Sequence, residues 1–166
     1  ISLHDPERTK DALLEQPKGY VTFQDVSFTY PDADEPALSH ISFTAEPGKT
    51  TAIIGSTGCG KSTIVRLIPR FFDVTQGAVR IDGVDVREMS QNKLRSLMGY
   101  VPQKGVLFSG TIESNLKYGG ENISDADMQQ AADIAQATEF IDSKVDRYNS
   151  LISQGGTNVS GGQKQR

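Results

Sequence analysis

The sequence has no tryptophan, and its 166 residues include one cysteine and two histidines. Cys59 has no second cysteine for an internal disulfide, and so few cysteines and histidines do not make an ordinary zinc site. A membrane span needs about 18 consecutive apolar residues, but even the longest stretch without Asp, Glu, Lys or Arg, residues 148–163, is full of Ser, Asn, Gln and Gly. The first residues lack the basic flank and apolar core of a secretion signal. We therefore expect a chain of a reducing compartment that does not itself cross a bilayer.

The charge balance is mildly acidic, since 17 Lys+Arg against 21 Asp+Glu give a net charge of −4. Proteins that hold nucleic acid through their overall field are usually basic, so this balance argues against a nucleic-acid partner. With 36% hydrophobic and 23% charged residues, the composition is that of an ordinary globular domain. A chain of this length buries about two-thirds of its unfolded surface, so a hydrophobic core is expected to hold the fold.

Local patterns divide the chain into a polar arm, a β-rich part and a helical part. Residues 1–19 are polar and lack Phe, Tyr and Trp, which indicates a linker. Runs of β-branched and aromatic residues then predict antiparallel strands at 20–23, 26–30 and 41–45. Residues 50–54 are almost wholly apolar, which is typical of a strand buried on both faces.

The remaining elements are predicted from caps and turns. A helix is expected at 62–67, and Asp82-Gly83 predicts a hairpin between strands at 79–81 and 84–86. Ser90 is expected to cap a helix at 91–97, followed by a strand at 99–101. Ser124 and Asp127 fit a capping box for a helix that reaches about Ala135.

The nine residues that follow the strand predicted at 50–54 satisfy the P-loop pattern, and a predicted helix follows them, as the motif requires. Glycines allow the backbone to wrap a triphosphate with its N–H groups pointing inward. Lys61 supplies a positive charge to the β- and γ-phosphates, and the Ser62 hydroxyl can ligate Mg²⁺. The predicted triphosphate site comprises Gly55, Ser56, Thr57, Gly58, Cys59, Gly60, Lys61, Ser62 and Thr63. Within it, Cys59 is interpreted as a small filler residue, with a reactive thiol as the alternative.

A second motif, Ser160-Gly161-Gly162-Gln163, stands near the end of the sequence. Alone it is no more than a loop followed by a capped helix, because Ser is a good N-cap. Together with the P-loop it resembles the ATP-binding cassette (ABC) family, whose nucleotide-binding domains carry both motifs. The resemblance covers residues 20–166 and implies an α/β fold, in which a P-loop core with an antiparallel β subdomain precedes a helical subdomain. It also implies ATP and Mg²⁺ as cofactors.

Further positions extend the resemblance. Tyr30 stands where the family places the aromatic residue that stacks on adenine; the alternative is a tyrosine packed on the sheet. Gln103 matches the glutamine that approaches Mg²⁺ and the attacking water, which implies catalytic and metal-binding roles; a loop glutamine without a role is the alternative. Lys61 is the other catalytic residue that the resemblance implies. The stretch 107–116 is similar to bacterial multidrug exporters, in which a membrane domain precedes the cassette.

The resemblance also implies partners. Two such cassettes dimerise head to tail, so that Ser160, Gly161, Gly162 and Gln163 of one contact the γ-phosphate of the ATP bound by the other. The second cassette is either identical or homologous. Residues 1–19 would lead from a fused transmembrane domain, which would hold the chain at the cytoplasmic face of the cell membrane.

One part of the family's machinery does not occur in these 166 residues. No run of four apolar residues ends in Asp followed by Glu, and both histidines, His4 and His40, precede the P-loop. Hydrolysis requires a metal held on its second side and an oriented water. We therefore expect a cassette incomplete at its C-terminus, which binds ATP but hydrolyses it poorly on its own.

These observations predict a linker at 1–19, a P-loop core with a β subdomain at 20–103, and a helical subdomain with the signature motif at 104–166. The expected function is the ATP-binding portion of an ABC exporter, whose full-length form couples ATP binding and hydrolysis to export. The alternatives are an ABC-type ATPase of DNA maintenance or repair, and a nucleotide-binding module without turnover. The acidic balance, the exporter-like stretch and the lack of long coiled-coil heptads argue against the DNA-linked ATPase.

Overall fold

A four-stranded antiparallel sheet forms the centre of the first of two structural units. The computed structural model describes residues 3–120 and 122–166; one unit extends to Gly99 and the other runs from Tyr100 to Arg166. Neighbouring strands pair antiparallel, which confirms the predicted β subdomain. The strand order is β2-β1-β3-β4, with β1 at Val21–Phe28, β2 at Leu38–Ala45, β3 at Gln76–Ile81 and β4 at Val84–Asp85.

The strand β1 has partners on both edges. Val21 pairs with Ala45 of β2 and with Ile81 of β3. Its register shifts beyond Phe23 on the β2 side, and Asp25 takes a positive φ of 47°. The prediction of two strands at 20–23 and 26–30 was therefore wrong, because a local irregularity interrupts the side-chain alternation within one continuous strand.

The hairpin between β3 and β4 turns at Asp82 and Gly83, as predicted. Both residues have positive φ, 49° and 84°, which is the backbone geometry that a tight two-residue hairpin requires. Val86, predicted as a strand residue, instead begins a single 3₁₀ turn, Val86–Glu88. The Asp85 side chain caps this turn by accepting a hydrogen bond from the Arg87 N–H at 2.9 Å.

Two short helices complete the first unit, α1 at Lys61–Leu67 and α2 at Gln91–Ser96. Both lie where the sequence predicts helices. The predicted cap is present, since the Ser90 hydroxyl oxygen accepts the Lys93 N–H at 3.2 Å. Ile64 and Leu67 of α1 and Leu94 of α2 belong to the hydrophobic core beside the sheet.

The core of this unit contains side chains from the sheet, both helices and the N-terminal arm. Each such side chain stabilises the fold by about 1.5–3 kcal/mol when fully buried. The most deeply buried are Leu14, Phe23, Val26, Leu67, Val79, Met89 and Leu94, all no more than 1% exposed.

The segment at 3–19, predicted as a linker, packs on the first unit. It contains a 3₁₀ turn, Asp11–Leu14, whose Leu14 is 1% exposed. The Asp11 carboxylate accepts hydrogen bonds from the backbone N–H and the hydroxyl of Ser90, at 2.9 and 2.6 Å. These bonds, the Ser90 hydroxyl foremost, lower the pKa of Asp11 below its ordinary value. The polar composition of residues 3–19 therefore did not indicate that this segment docks through one buried side chain, Leu14.

The end of this arm is held by a single carboxylate. Asp82 accepts the backbone N–H groups of Lys18, Gly19 and Tyr20 at 2.8, 3.0 and 2.9 Å. Burial alone raises the pKa of Asp82, but the three N–H groups outweigh it and hold the pKa below its ordinary value. The hairpin turn thereby fixes the point at which the arm enters β1.

The second unit is mainly helical. Two short strands, Gly110–Thr111 (β5) and Leu151–Ile152 (β6), pair antiparallel. The core of this unit consists of Ile112, Ala132, Ala137, Ile141 and Ile152. The predicted capping box at Ser124 is present. Within the described residues, no helix is long and apolar enough to cross a membrane. The α-helices of the second unit are α3 at Ile112–Leu116, α4 at Asp125–Ile134, α5 at Thr138–Asp142 and α6 at Gly161–Gln165.

Two predicted strands are not strands in the structure. Residues 50–54 and 99–101 have no ladder hydrogen bonds to any described strand, and Ile54 and Val101 are 90% and 73% exposed. An apolar run becomes an inner strand only when neighbours pair with its edges. Composition indicates that these segments tend to form strands. Strand pairing, however, depends on distant segments and cannot be predicted from composition.

Candidate nucleotide site

The P-loop joins residues 50–54 to α1, and glycines set its path. Gly58 and Gly60 have φ of +86° and +91°, in the left-handed region that favours glycine. A Cβ atom at Gly60 would lie 2.8 Å from the Ala37 carbonyl oxygen, so the loop backbone passes directly against the start of β2. This approach fixes the N-terminal end of α1.

The ammonium group of Lys61 lies within the loop. Its Nζ donates to the carbonyl oxygens of Gly55 and Ser56 at 2.9 and 2.5 Å. Residues 55–59 are all exposed. The loop therefore presents accessible backbone around one positive charge, which suits an anionic ligand.

The other predicted loop residues take different positions. Cys59 is exposed, with its Sγ 3.6 Å from Lys61 Nζ, and a Cβ atom on Gly55 would lie 2.6 Å from that sulfur. Ser62 is exposed in the first turn of α1, whereas Thr63 is buried. Of the two hydroxyls, only that of Ser62 is accessible to a phosphate-bound metal.

Tyr30 is tied to the P-loop helix. Its hydroxyl lies 3.0 Å from the Thr63 Oγ1, and its ring makes edge contacts with Phe28 and Phe72 at centroid distances of 4.7 and 5.3 Å. The residue remains partly exposed. The sequence predicts separate roles for Tyr30 and Thr63, and in the structure a hydrogen bond joins these two residues, which lie 33 positions apart.

The signature residues form the start of α6. The Ser160 hydroxyl oxygen accepts the Gln163 N–H at 3.2 Å, and the Gln163 side-chain oxygen accepts the Ser160 N–H at 2.9 Å. This is a capping box, and its Ser-x-x-Gln pattern is visible in the sequence. Because the Ser160 oxygen acts as acceptor here, its own O–H remains able to donate to a phosphate oxygen. The side chain of Gln163 supports this arrangement.

The segment around Gln103 contacts α6 within the second unit. Gln165 Nε2 donates to the Pro102 carbonyl oxygen at 2.9 Å. A Cβ atom on Gly105 would lie 2.8 Å from the Lys164 carbonyl oxygen, so the two backbones touch there. Gln103 lies between these contacts and is exposed. Its segment is thereby anchored on both sides to the helix that Ser160 begins.

The two metal ligands predicted from the sequence, Ser62 and Gln103, both offer neutral oxygen atoms. Among the described residues, no group of three or more His, Cys, Asp or Glu side chains is placed to hold an ion. The predicted ligands, the Ser62 hydroxyl and the Gln103 side-chain oxygen, are the hard donors that Mg²⁺ accepts when phosphates complete its shell. The donor chemistry therefore fits Mg²⁺ that arrives with a nucleotide.

Comparison with known proteins decides between the families that use a P-loop. The profile of the ABC transporter family matches residues 38–166, which include the P-loop, Gln103 and the Ser160 motif. The chain belongs to the ABC transporter family. ATP-binding domains of this family are ATPases that bind ATP, typically with Mg²⁺.

Curated relatives are similar along most of the chain. An uncharacterised ABC transporter ATP-binding protein of Mycobacterium tuberculosis is 50% identical over 151 residues, 89% of this chain and 26% of that protein. The ATP-dependent lipid A-core flippase of Vibrio vulnificus is 41% identical over 100% of this chain and 29% of its own length. ATP-binding cassette sub-family B member 6 of Rattus norvegicus is 44% identical over 90% of this chain and 18% of its own length.

A solved structure confirms the predicted fold. A bacterial Atm1-family ABC exporter with ATP bound matches with a TM-score of 0.91 and 38% identity, over 99% of this chain and 28% of that one. This chain therefore spans less than a third of the length of the proteins that it resembles.

Proposed function

We propose that this chain is the ATP-binding part of an exporter, in which ATP binding and hydrolysis drive transport through a fused membrane domain. The observation that carries the proposal is the exposed P-loop with the Lys61 ammonium held within it, 2.9 Å from the Gly55 carbonyl oxygen. The family match favours transport over DNA maintenance. The relatives include a protein named as a lipid A-core flippase and a solved exporter, which support export in particular.

The P-loop residues bind the phosphates in this proposal. Backbone N–H groups of residues 55–60 donate to phosphate oxygens, and Lys61 supplies a charge for the β- and γ-phosphates. Ser62 and Gln103 hold Mg²⁺, which neutralises charge on the phosphates. Tyr30 stacks on the adenine, for which its partial exposure leaves ring surface accessible.

The signature residues act on a second cassette. The exposed Ser160 hydroxyl and the neighbouring Gly161 and Gly162 meet the γ-phosphate of ATP bound to the partner, so ATP joins two cassettes head to tail. Loss of that phosphate on hydrolysis loosens the dimer, and the attached membrane segments rearrange at the cytoplasmic face of the membrane. Residues 1–19 form the connection to those segments.

Turnover by this chain alone is slow in our proposal. Gln103 is available to orient water, but these 166 residues hold no apolar run that ends in Asp and Glu to complete the metal site and supply a base. Phosphate release by the isolated chain, measured beside a longer chain that continues past residue 166, tests this part directly. Equal rates in the two would contradict it.

The central experiment measures ATP binding to the chain in the presence of Mg²⁺. Lys61→Ala should weaken binding at least about 10-fold, because it removes a charged donor to the phosphates. Lys49→Ala is the matched control, since the Lys49 side chain is 69% exposed and forms a surface ion pair with Glu46. Unchanged affinity in Lys61→Ala would contradict ATP binding at the P-loop.

A second variant separates binding in cis from dimerisation. In the protein that carries the whole cassette, Ser160→Arg should leave ATP binding by monomers intact and prevent ATP-driven dimerisation, because a bulky cation blocks the partner's phosphate. Light scattering with and without ATP measures the dimer. Equal loss of monomer ATP affinity in Lys61→Ala and Ser160→Arg would contradict the action of Ser160 on the partner.

A further inference from the structure

Three aromatic rings from two segments of the first unit meet beside the P-loop helix. Phe28 ends β1, Tyr30 follows it closely, and Phe72 lies beyond the end of α1. The Phe28 and Tyr30 rings are 4.7 Å apart at 80°, the Tyr30 and Phe72 rings 5.3 Å at 86°, and the Phe28 and Phe72 rings 5.5 Å at 51°. Each ring contacts the other two, so the three form a closed cluster.

Tyr30 has an additional fixed point outside this cluster. Its hydroxyl is 3.0 Å from the hydroxyl of Thr63, and Thr63 is only 5% exposed in α1. Two edge contacts and one hydrogen bond therefore restrict the Tyr30 ring from three directions. A ring held in this way loses little conformational freedom when a ligand stacks on it.

An ion pair spans the segment that carries Phe72. Arg70 is 5% exposed, and its guanidinium donates to both carboxylate oxygens of Asp73 at 2.7 and 3.1 Å. This two-point ion pair brackets Phe72 in the chain. The ion pair therefore constrains the backbone on both sides of Phe72.

We propose that Phe72 is a positioning residue for the nucleobase: it holds the Tyr30 ring in the orientation that stacks on adenine. The inference rests on the proposed function, in which Tyr30 contacts the base. Phe72 does not belong to the P-loop, so its contribution applies to the base and not to the phosphates. Its loss should therefore lower affinity for ATP without lowering affinity for a triphosphate that has no base.

The test compares two ligands, ATP and inorganic tripolyphosphate, each with Mg²⁺, on the unmodified chain and its variants. Phe72→Leu keeps an apolar side chain and removes the aromatic contact. An aromatic pair is worth enough for ATP affinity to fall by about 3-fold to 10-fold, while tripolyphosphate affinity stays unchanged. Phe71→Leu is the matched control, because the neighbouring Phe71 ring lies against the Arg95 guanidinium at 5.5 Å. Its ratio of the two affinities should equal that of the unmodified chain.

A double variant decides whether Phe72 acts through Tyr30. Tyr30→Leu should lower ATP affinity alone, and Tyr30→Leu with Phe72→Leu should bind ATP no more weakly than Tyr30→Leu, because coupled residues are not additive. Additive losses, an equal loss of both ligands in Phe72→Leu, or no loss at all would overturn the inference. Lys61→Ala distinguishes its failure from that of the proposed function, since that variant should lose both ligands.

Discussion

The buried anchor of the N-terminal arm allows a demanding test of how the arm is held. Leu13 and Leu14 are adjacent in sequence, yet Leu13 is 68% exposed and Leu14 1% exposed. Leu14→Ala removes buried methyl groups and leaves a cavity, a change that costs about 2–5 kcal/mol in a core. Leu13→Ala removes the same atoms from a solvated position, where changes usually stay within about 0.5 kcal/mol.

The cost of Leu14→Ala also depends on how strongly the rest of the arm is held. If the arm detaches locally while the sheet stays folded, the loss of stability cannot exceed the free energy with which the arm is docked. Besides Leu14, that free energy includes the bonds of Asp11 to Ser90 and the Lys10–Glu88 ion pair at 2.7 Å. We expect a loss of about 3 kcal/mol, which for a chain of this size lowers the melting temperature by about 6–12 °C.

Chemical denaturation of Leu13→Ala, Leu14→Ala, Asp11→Ala and the double variant Asp11→Ala with Leu14→Ala measures these effects. If Leu14→Ala already detaches the arm, the further loss of Asp11 should cost almost nothing in the double variant, although Asp11→Ala alone destabilises the chain. Limited proteolysis should then cut residues 3–19 in Leu14→Ala and spare them in Leu13→Ala. Equal destabilisation by Leu13→Ala and Leu14→Ala would contradict the role of Leu14 as the buried anchor of the arm.

Two further predictions concern the turn that holds the arm and the loop that precedes α1. Asp82→Asn keeps a residue that tolerates positive φ but loses the charged acceptor, so the free energy of unfolding at pH 7 should fall by about 1–2 kcal/mol. The pKa of Asp82 is lower in the folded chain than its unfolded value of about 3.9, so the carboxylate stabilises the fold above that pH. This stabilisation disappears as the pH falls through the folded pKa. The denaturation curves of the unmodified chain and Asp82→Asn should therefore converge in acid. Gly60→Ala would place a Cβ atom 2.8 Å from a backbone oxygen at a residue whose φ is +91°. Gly48→Ala is the control, because φ there is +69° and no atom lies within 4 Å of the added Cβ. We expect Gly60→Ala to destabilise the chain and to weaken ATP binding more than Gly48→Ala does. Equal melting temperatures for these two glycine variants would contradict the packing of the loop against Ala37.

Features that depend on neighbouring residues were predictable from the sequence. The Asp82-Gly83 turn, the Ser90 cap and the Ser124 capping box all appear where expected, because each is decided by atoms within four residues. The Ser160 N-cap also appears as expected, and the reciprocal bond from the Gln163 side chain, which completes a capping box, was not predicted.

Features that depend on distant partners were not predictable in the same way. Leu14 lies in a polar segment, and only the core beneath it explains its burial. The apolar run at 50–54 is a strand only where other strands flank it, and no described strand does so. Burial and strand pairing are properties of two or more distant segments, so one segment's composition indicates a tendency and not an outcome.

The family could be identified from the sequence alone, because the P-loop and the Ser160 motif are short runs of residues at fixed spacing. Three contacts became visible in the folded chain: the Tyr30 hydroxyl is hydrogen-bonded to Thr63, Phe72 packs against Tyr30, and the N-terminal arm docks through Leu14. These contacts differ from the motifs in the sequence separation of the residues that form them. A loop that wraps a phosphate closes over a few residues, whereas contacts between residues 33 or more positions apart arise only when the sheet and helices have assembled.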